Sequence, residues 1–194
     1  MIKTAEVIKF FDRLAPGWDE NLVRDEEKIN RILYNARVFE GSTVLDVACG
    51  TGVMIPYYLK RNVASVTAVD ISPEMARIAG SKFPQESVEV LCADVEKMDF
   101  GKRFDSIVVY NAFPHFPDPE RLIKRLSGLL APGGTLTVAH GSCREDIDAH
   151  HKGCASHVSN GLMSAEDLAK IFGRYLKVTA VISDERMYQV AGRL

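Results

Sequence analysis

The sequence predicts a single α/β domain built on a doubly wound, mostly parallel sheet of seven strands. Three observations lead there. From Thr43 onward, short apolar runs of strand length alternate with segments of helical length. The first run ends in a glycine turn, Ala48-Cys49-Gly50-Thr51-Gly52. The last two runs are separated only by the turn-like Asp184-Glu185, and they read as an antiparallel hairpin at the sheet edge. Strands alternating with helices imply right-handed crossovers, with helices covering both faces of the sheet.

Each element has its own signal. The first forty residues form a helical cap. Ile8, Phe11 and Ala15 recur at helical spacing until Pro16-Gly17 break the pattern. A second helix places Ile29, Ile32, Leu33 and Ala36 on one face, with Asp25, Glu26 and Glu27 at its dipole-positive start. The strands are Thr43 to Val47, Ser65 to Val69, Val88 to Cys92, Ser106 to Tyr110 and Thr135 to Ala139, followed by Lys177 to Ser183 and Met187 to Gly192. Ser72-Pro73 and Asp118-Pro119 each read as an N-cap with proline at the first helical position. Ser164 and Asp167 suggest a capping box for a helix through Phe172. Residues 141–163 show neither period and read as a long loop, which is uncommon without a function.

Composition narrows the function classes. The 194 residues are 46% hydrophobic and 26% charged, the balance of an ordinary globular domain. A net charge of -2 gives no electrostatic reason to expect nucleic acid or an anionic membrane as partner. No apolar run reaches the length of a bilayer span, and the N-terminus lacks a signal-peptide core, so a cytoplasmic protein is expected. The four cysteines show no C-x-x-C spacing and should be free thiols. A monomer or homodimer is expected.

The segment from Val44 to Gly52 concentrates the chemistry. A buried strand runs into a turn where Gly50 and Gly52 let the backbone lie against a ligand, and a helix starting near Val53 offers unpaired N–H groups. Asp70 ends the next strand, where a carboxylate can accept both hydroxyls of a ribose. A dinucleotide fingerprint would need glycine at positions 48, 50 and 53, but Ala48 and Val53 break it. Asp46 would also repel a pyrophosphate, whereas it suits a ligand whose nearby end is cationic, such as the ammonium and sulfonium of S-adenosylmethionine.

Five segments in this order resemble the class I S-adenosylmethionine-dependent methyltransferases. The likeness is to the small-molecule type 11 group that includes ubiquinone and menaquinone biosynthesis enzymes. They are Val44 to Gly52, Ala68 to Ser72, Cys92 to Val95, Phe104 to Val108 and Leu130 to Leu136. The resemblance implies a Rossmann-like methyltransferase fold over residues 1–194. Within it, 1–40 would be the helical cap, 41–140 the donor-binding core, 141–163 a substrate-side loop, and 164–194 a helix and closing hairpin. It also implies S-adenosylmethionine as donor and S-adenosylhomocysteine as product. Asp46 with Ala48, Cys49, Gly50, Thr51 and Gly52 would hold the methionine part, and Asp70 the ribose. Ile71 and Met75 would border the adenine side, with Asp94 accepting from its amine and the Val95 N–H meeting a ring nitrogen. Asn111 and Ala112 would flank the sulfonium. Phe10 to Asp19 resembles a segment that closes over donor and acceptor, and Trp18 within it could face the sulfonium.

The acceptor has no such signature. An N-methylation motif of Asn/Asp-Pro-Pro-aromatic is replaced by Asn111-Ala112-Phe113-Pro114, and a small-molecule acceptor is expected. His115 and His140 sit at strand ends, where open α/β sheets bind ligands. With His151 they are candidate catalytic residues, because imidazole can serve as a base near neutral pH. The cluster His150-His151-x-x-Cys154-x-x-His157, with His140 and Cys143, leaves metal binding open, although its spacing fits no standard zinc pattern. A non-catalytic module that holds the donor or a metal is the alternative.

Overall fold

The computed structural model describes residues 2–22 and 24–194, with side chains for all of these except Asn21, His150 and Cys154. One seven-stranded sheet runs in the order β3-β2-β1-β4-β5-β7-β6. β1 (Thr43–Val47), β2 (Ser65–Asp70), β3 (Val88–Cys92), β4 (Phe104–Tyr110) and β5 (Leu130–His140) are parallel. β7 (Tyr188–Arg193) runs antiparallel between β5 and β6 (Lys177–Ser183). The closing hairpin is therefore present, and its second strand is the inner one.

Alternation along the central strands sorts the core into two layers, as the pleat requires. Leu45, Val47, Ile107 and Val109 face one layer, where they meet Leu122 and Leu126 of α5 (Pro119–Ser127) and Leu168 and Phe172 of α7 (Ala165–Phe172). Val44, Val66, Ala68 and Val108 face the other. There they meet α2 (Glu26–Asn35), α3 (Ile55–Leu59) and α4 (Pro73–Lys82) through Ile29, Leu33, Tyr58 and Ala79. Helices start where their caps were expected. Ser72 accepts from the Met75 N–H, Asp118 from Arg121 and Ser164 from Asp167. Each such cap contributes about 1 kcal/mol.

Four boundaries differ from the sequence expectation. The N-terminal cap is α1 (Thr4–Leu14) followed by a 3₁₀ run over Ala15–Asn21, and α1 buries Val7 and Phe10 while Ile8 stays half-exposed. α3 starts at Ile55 rather than Val53, because residues 51–54 are spent turning the chain. β5 begins at Leu130, with a register irregularity opposite Phe104 and Ser106 absorbing the glycine pair before Thr135. The segment 141–163 is not a structureless loop. It contains α6 (Arg144–Cys154) and a 3₁₀ turn over Ser156–Val158.

The reason α6 is silent in sequence is that it lacks an apolar stripe; Ile147 is its one large aliphatic residue and is only half-buried. Instead it is fastened at Leu162, whose carbonyl accepts from Arg144 Nε at 2.7 Å and whose N–H donates to Asp148 Oδ1 at 2.7 Å. α1 then packs over this region, with Ile2, Val7 and Phe10 in one apolar cluster with Ala155 and Val158.

Candidate active site

The sheet order reverses direction between β1 and β4, which is where open α/β sheets leave a crevice at their strand ends. The backbone is strained at both ends. Ala48 after β1 and Asn111 after β4 take positive φ of 54° and 54°, in the left-handed region that side-chain-bearing residues rarely occupy. Their neighbours hold them there. The Asn111 N–H donates to the Ala139 carbonyl, and Asn111 Oδ1 accepts from Gly141 N–H at 2.9 Å.

A cleft opens at this point. Asp46, Ala48, Cys49 and Gly50 line it from the first strand and turn. Asp70, Ile71 and Met75 line it from β2 and α4, Asp94 and Val95 from beyond β3, and Asn111, Ala112 and His115 from beyond β4. Trp18 enters from the N-terminal cap. Thr51, Gly52, His140 and His151 are not part of the lining.

Asp46 is 1% exposed, and its Oδ2 has no hydrogen-bond partner. The Tyr58 hydroxyl lies close enough to favour the ionised carboxylate but is itself without a hydrogen bond. Burial raises the Asp46 carboxyl to about 7, opposed by Tyr58 and reinforced by the neighbouring Asp70. Asp70 is better satisfied. Its Oδ2 accepts from Gly50 N–H at 2.8 Å and its Oδ1 from Ser72 N–H at 2.8 Å, which fixes the carboxylate while each oxygen keeps a second lone pair. Burial still raises its pKa, with those two donors opposing and Asp12 adding to the rise.

The two glycines of the turn serve different ends. A Cβ at Gly50 would stand 3.8 Å from Trp18 Nε1, so a side chain there would intrude on the space between turn and cap. A Cβ at Gly52 would stand 2.6 Å from the Phe83 ring, so its absence lets the end of α4 close on the turn. Cys49 is buried, and burial pushes its thiol up, as in a packing residue rather than a nucleophile. Asp94 accepts from Glu96 N–H at 3.0 Å and pairs with Lys97 at 2.8 Å while still bordering the cleft.

The cap is tied down by residues that sequence reasoning did not single out. Asp12 of α1 accepts from the Ser72 hydroxyl at 2.5 Å and the Glu74 N–H at 3.2 Å, adding a second cap to α4 from outside. Asp19 accepts from the Thr51 hydroxyl at 2.6 Å and from Lys82 at 2.7 Å. Lys82 also donates to the Thr51 carbonyl at 2.8 Å. Thr51 thus acts on the cap rather than on the cleft. Nothing local announces these contacts, since the partners lie 60 and more residues apart in sequence for Asp12 and Lys82.

The histidines converge. His115 and His151 ring centroids are 5.0 Å apart, and both are near enough to depress His140. His115 Nδ1 is 2.8 Å from the Val158 carbonyl, so Nδ1 carries the proton and Nε2 is the basic nitrogen of the neutral ring. Burial lowers His115 to about 4, so it stays neutral at physiological pH. His151 Nδ1 is 2.8 Å from the Ser159 hydroxyl. His140 is buried under Tyr188, its Nε2 is unpaired, and burial lowers it to about 3. His150 and the thiol of Cys154 lie outside the described side chains. Among the described residues, no group of three His, Cys, Asp or Glu side chains could hold a metal ion.

The residues present suit a cationic donor. Asp46 presents an unpaired buried carboxylate oxygen to the cleft, Gly50 leaves backbone-level space beside it, and Asp70 waits on the adjoining strand end.

Residues 45–138 match a family described as a methyltransferase domain. The chain is 32% identical over 143 residues to a ubiquinone biosynthesis O-methyltransferase of Coxiella burnetii, covering 70% of this chain and 61% of that protein. It is 31% identical over 139 residues to a malonyl-acyl-carrier-protein O-methyltransferase of Priestia megaterium, covering 66% and 51%. The chain thus spans less than two thirds of the length of these curated relatives. Among solved structures, the N-methyltransferase NodS from Bradyrhizobium japonicum in complex with S-adenosylhomocysteine superposes with a TM-score of 0.72 at 18% identity, covering 98% of this chain and 97% of that one. In the domain its sequence matches and in its fold, the chain is similar to the class I S-adenosylmethionine-dependent methyltransferases.

Proposed function

We propose that this chain transfers a methyl group from S-adenosylmethionine to a small-molecule acceptor. The observation that supports this most is the buried, unpartnered Asp46 Oδ2 beside Asp70 in one cleft at the sheet's switch point. When bound, the donor supplies a methyl group on a cationic sulfur with a neutral thioether as its leaving group. The chain's own work is to bind, align and keep water out. Asp46 and the turn through Gly50 hold the cationic methionine end, and Asp70 holds the sugar. Ile71 and Met75 wall the base, with Asp94 and the Val95 backbone at its polar edge. Asn111 and Ala112 border the reacting position, and Trp18 covers it from the cap.

His115 is the base. It borders the cleft, its tautomer is set by Val158, and its Nε2 can take a proton from the acceptor nucleophile as the new bond forms. His151 packs against it as a positioning residue. His140 is not part of the cleft lining and lies near enough to His115 and His151 to be influenced by both. Both curated relatives are named as O-methyltransferases, which favours an oxygen acceptor. A monomer or homodimer in the cytoplasm fits the composition, and no helix among the described residues is long and apolar enough to cross a membrane.

Isothermal titration with donor and product, followed by labelled-methyl transfer to a library of small acceptors, tests the proposal. Micromolar binding and transfer to a subset are expected. Absence of donor binding at high micromolar concentration refutes it, and binding without any transfer points to a non-catalytic donor-binding module instead.

A further inference from the structure

Beyond the donor-holding turn, the cleft continues under the N-terminal cap. Its walls there are apolar, formed by Ile2, Val7, Phe11, Leu22, Phe116 and Pro117. Four acids line the cleft as a whole, Asp46, Asp70, Asp94 and Glu96, and among the described residues no lysine or arginine does. Two of those acids are paired with cations that are not part of the lining, Asp94 with Lys97 and Glu96 with Arg121 at 2.7 Å. Asp46 and Asp70 have no ion-pair partner among the described residues.

The donor brings an ammonium, a sulfonium and a carboxylate, for a net charge of one positive unit. Two unpaired carboxylates leave the occupied cleft with a negative surplus. An anionic acceptor would have to shed water in an apolar chamber, beside that surplus, with no cation to meet it. A neutral molecule meets no such barrier. The polar groups within reach on this side, the neutral His115 ring and the Thr4 hydroxyl, can hydrogen-bond but cannot neutralise a charge.

We propose that the acceptor half of the cleft selects uncharged, apolar or aromatic molecules bearing a neutral hydroxyl, and turns away carboxylates and phosphates. The selection comes from the absence of any lysine or arginine among the described lining residues, combined with two acids that have no ion-pair partner there. It rests on the cleft being the donor and acceptor site together, as set out above.

The test is a binding comparison with a matched pair of probes, 2-naphthol and 2-naphthoate, in the presence of saturating S-adenosylhomocysteine. Trp18 is the sole tryptophan of the chain and lines the cleft, so its emission reports occupancy. Naphthol should bind at least tenfold more tightly than naphthoate. Thr4→Lys, which adds a cation at an exposed position of the lining, should improve naphthoate binding several-fold and so narrow the preference for naphthol. Equal or tighter naphthoate binding by the unmodified protein overturns the proposal. So does failure of both probes while S-adenosylhomocysteine still binds, an outcome that leaves the donor assignment standing. Failure of S-adenosylhomocysteine itself to bind removes the donor assignment and this selection with it.

Discussion

The buried carboxylate of Asp46 makes donor binding a proton-linked event. In the free protein burial raises this group to about 7, so at mildly acidic pH most molecules hold it neutral. A cationic ligand end needs it ionised, so binding must drive the proton off. At pH 6 about one molecule in eleven has Asp46 ionised, and at pH 7.5 about three in four do. Affinity for S-adenosylhomocysteine, whose ammonium stays protonated throughout, should therefore rise about eightfold across that interval, or about 1.3 kcal/mol. His115 and His140, lowered by burial to about 4 and about 3, remain neutral over the same range and do not contribute. Calorimetry in two buffers of different ionisation enthalpy should register close to one proton released per ligand at pH 6. Asp46→Asn keeps Asp70 and the turn but has no proton to give. Its binding should be weaker and flat with pH. A pH-independent affinity in the unmodified protein, or the same slope in Asp46→Asn, would show that Asp46 does not meet the cationic end.

Three further expectations follow from the geometry. His115→Gln should lower single-turnover methyl transfer by about 10²-fold or more, with donor affinity changed less than twofold; His151→Ala should weaken transfer more mildly, and a matching loss of donor affinity in either would mark the cluster as support for the fold. His140 titrates near 6.5 when unfolded but about 3 when folded, so the unfolded chain binds more protons between those values and stability falls as pH drops through 6.5. His140→Gln should remove about 2 kcal/mol of the stability change between pH 7 and 5 in denaturant titrations, and an unchanged profile would mean that the imidazole is hydrated in the fold. Gly52→Ala should cost at least about 2 kcal/mol, because φ is +84° and the new Cβ would meet Phe83 at 2.6 Å. Gly101→Ala, at φ +59° with nothing nearby, should cost about 1 kcal/mol, and equal losses by thermal melt would argue that conformation alone decides both.

The strands were readable because β1, β2, β4 and β5 are buried on both faces and so write continuous apolar runs, each ended by a turn or a cap. Ser72, Asp118 and Ser164 announced their helices because capping is local chemistry between residues three apart. That Asp46, Gly50 and Asp70 share one cleft was readable for a similar reason. Asp46, Gly50 and Asp70 are placed by one strand, one turn and the next strand end, so their spacing alone brings them together. α6 was hidden because it has no apolar stripe and is held by Arg144 and Asp148 on Leu162.

From sequence alone came the doubly wound sheet, the acid-flanked turn and the choice of a cationic donor over a dinucleotide, all encoded in contacts between near neighbours in the chain. The tertiary structure alone decided that Asp12 and Asp19 strap the cap to α4 and the turn, and that Val158 sets the His115 tautomer. It also decided that Thr51, Gly52, His140 and His151 stand outside the cleft. Those outcomes depend on pairs separated by tens of residues, where packing of whole elements chooses the partner and no periodicity records the choice.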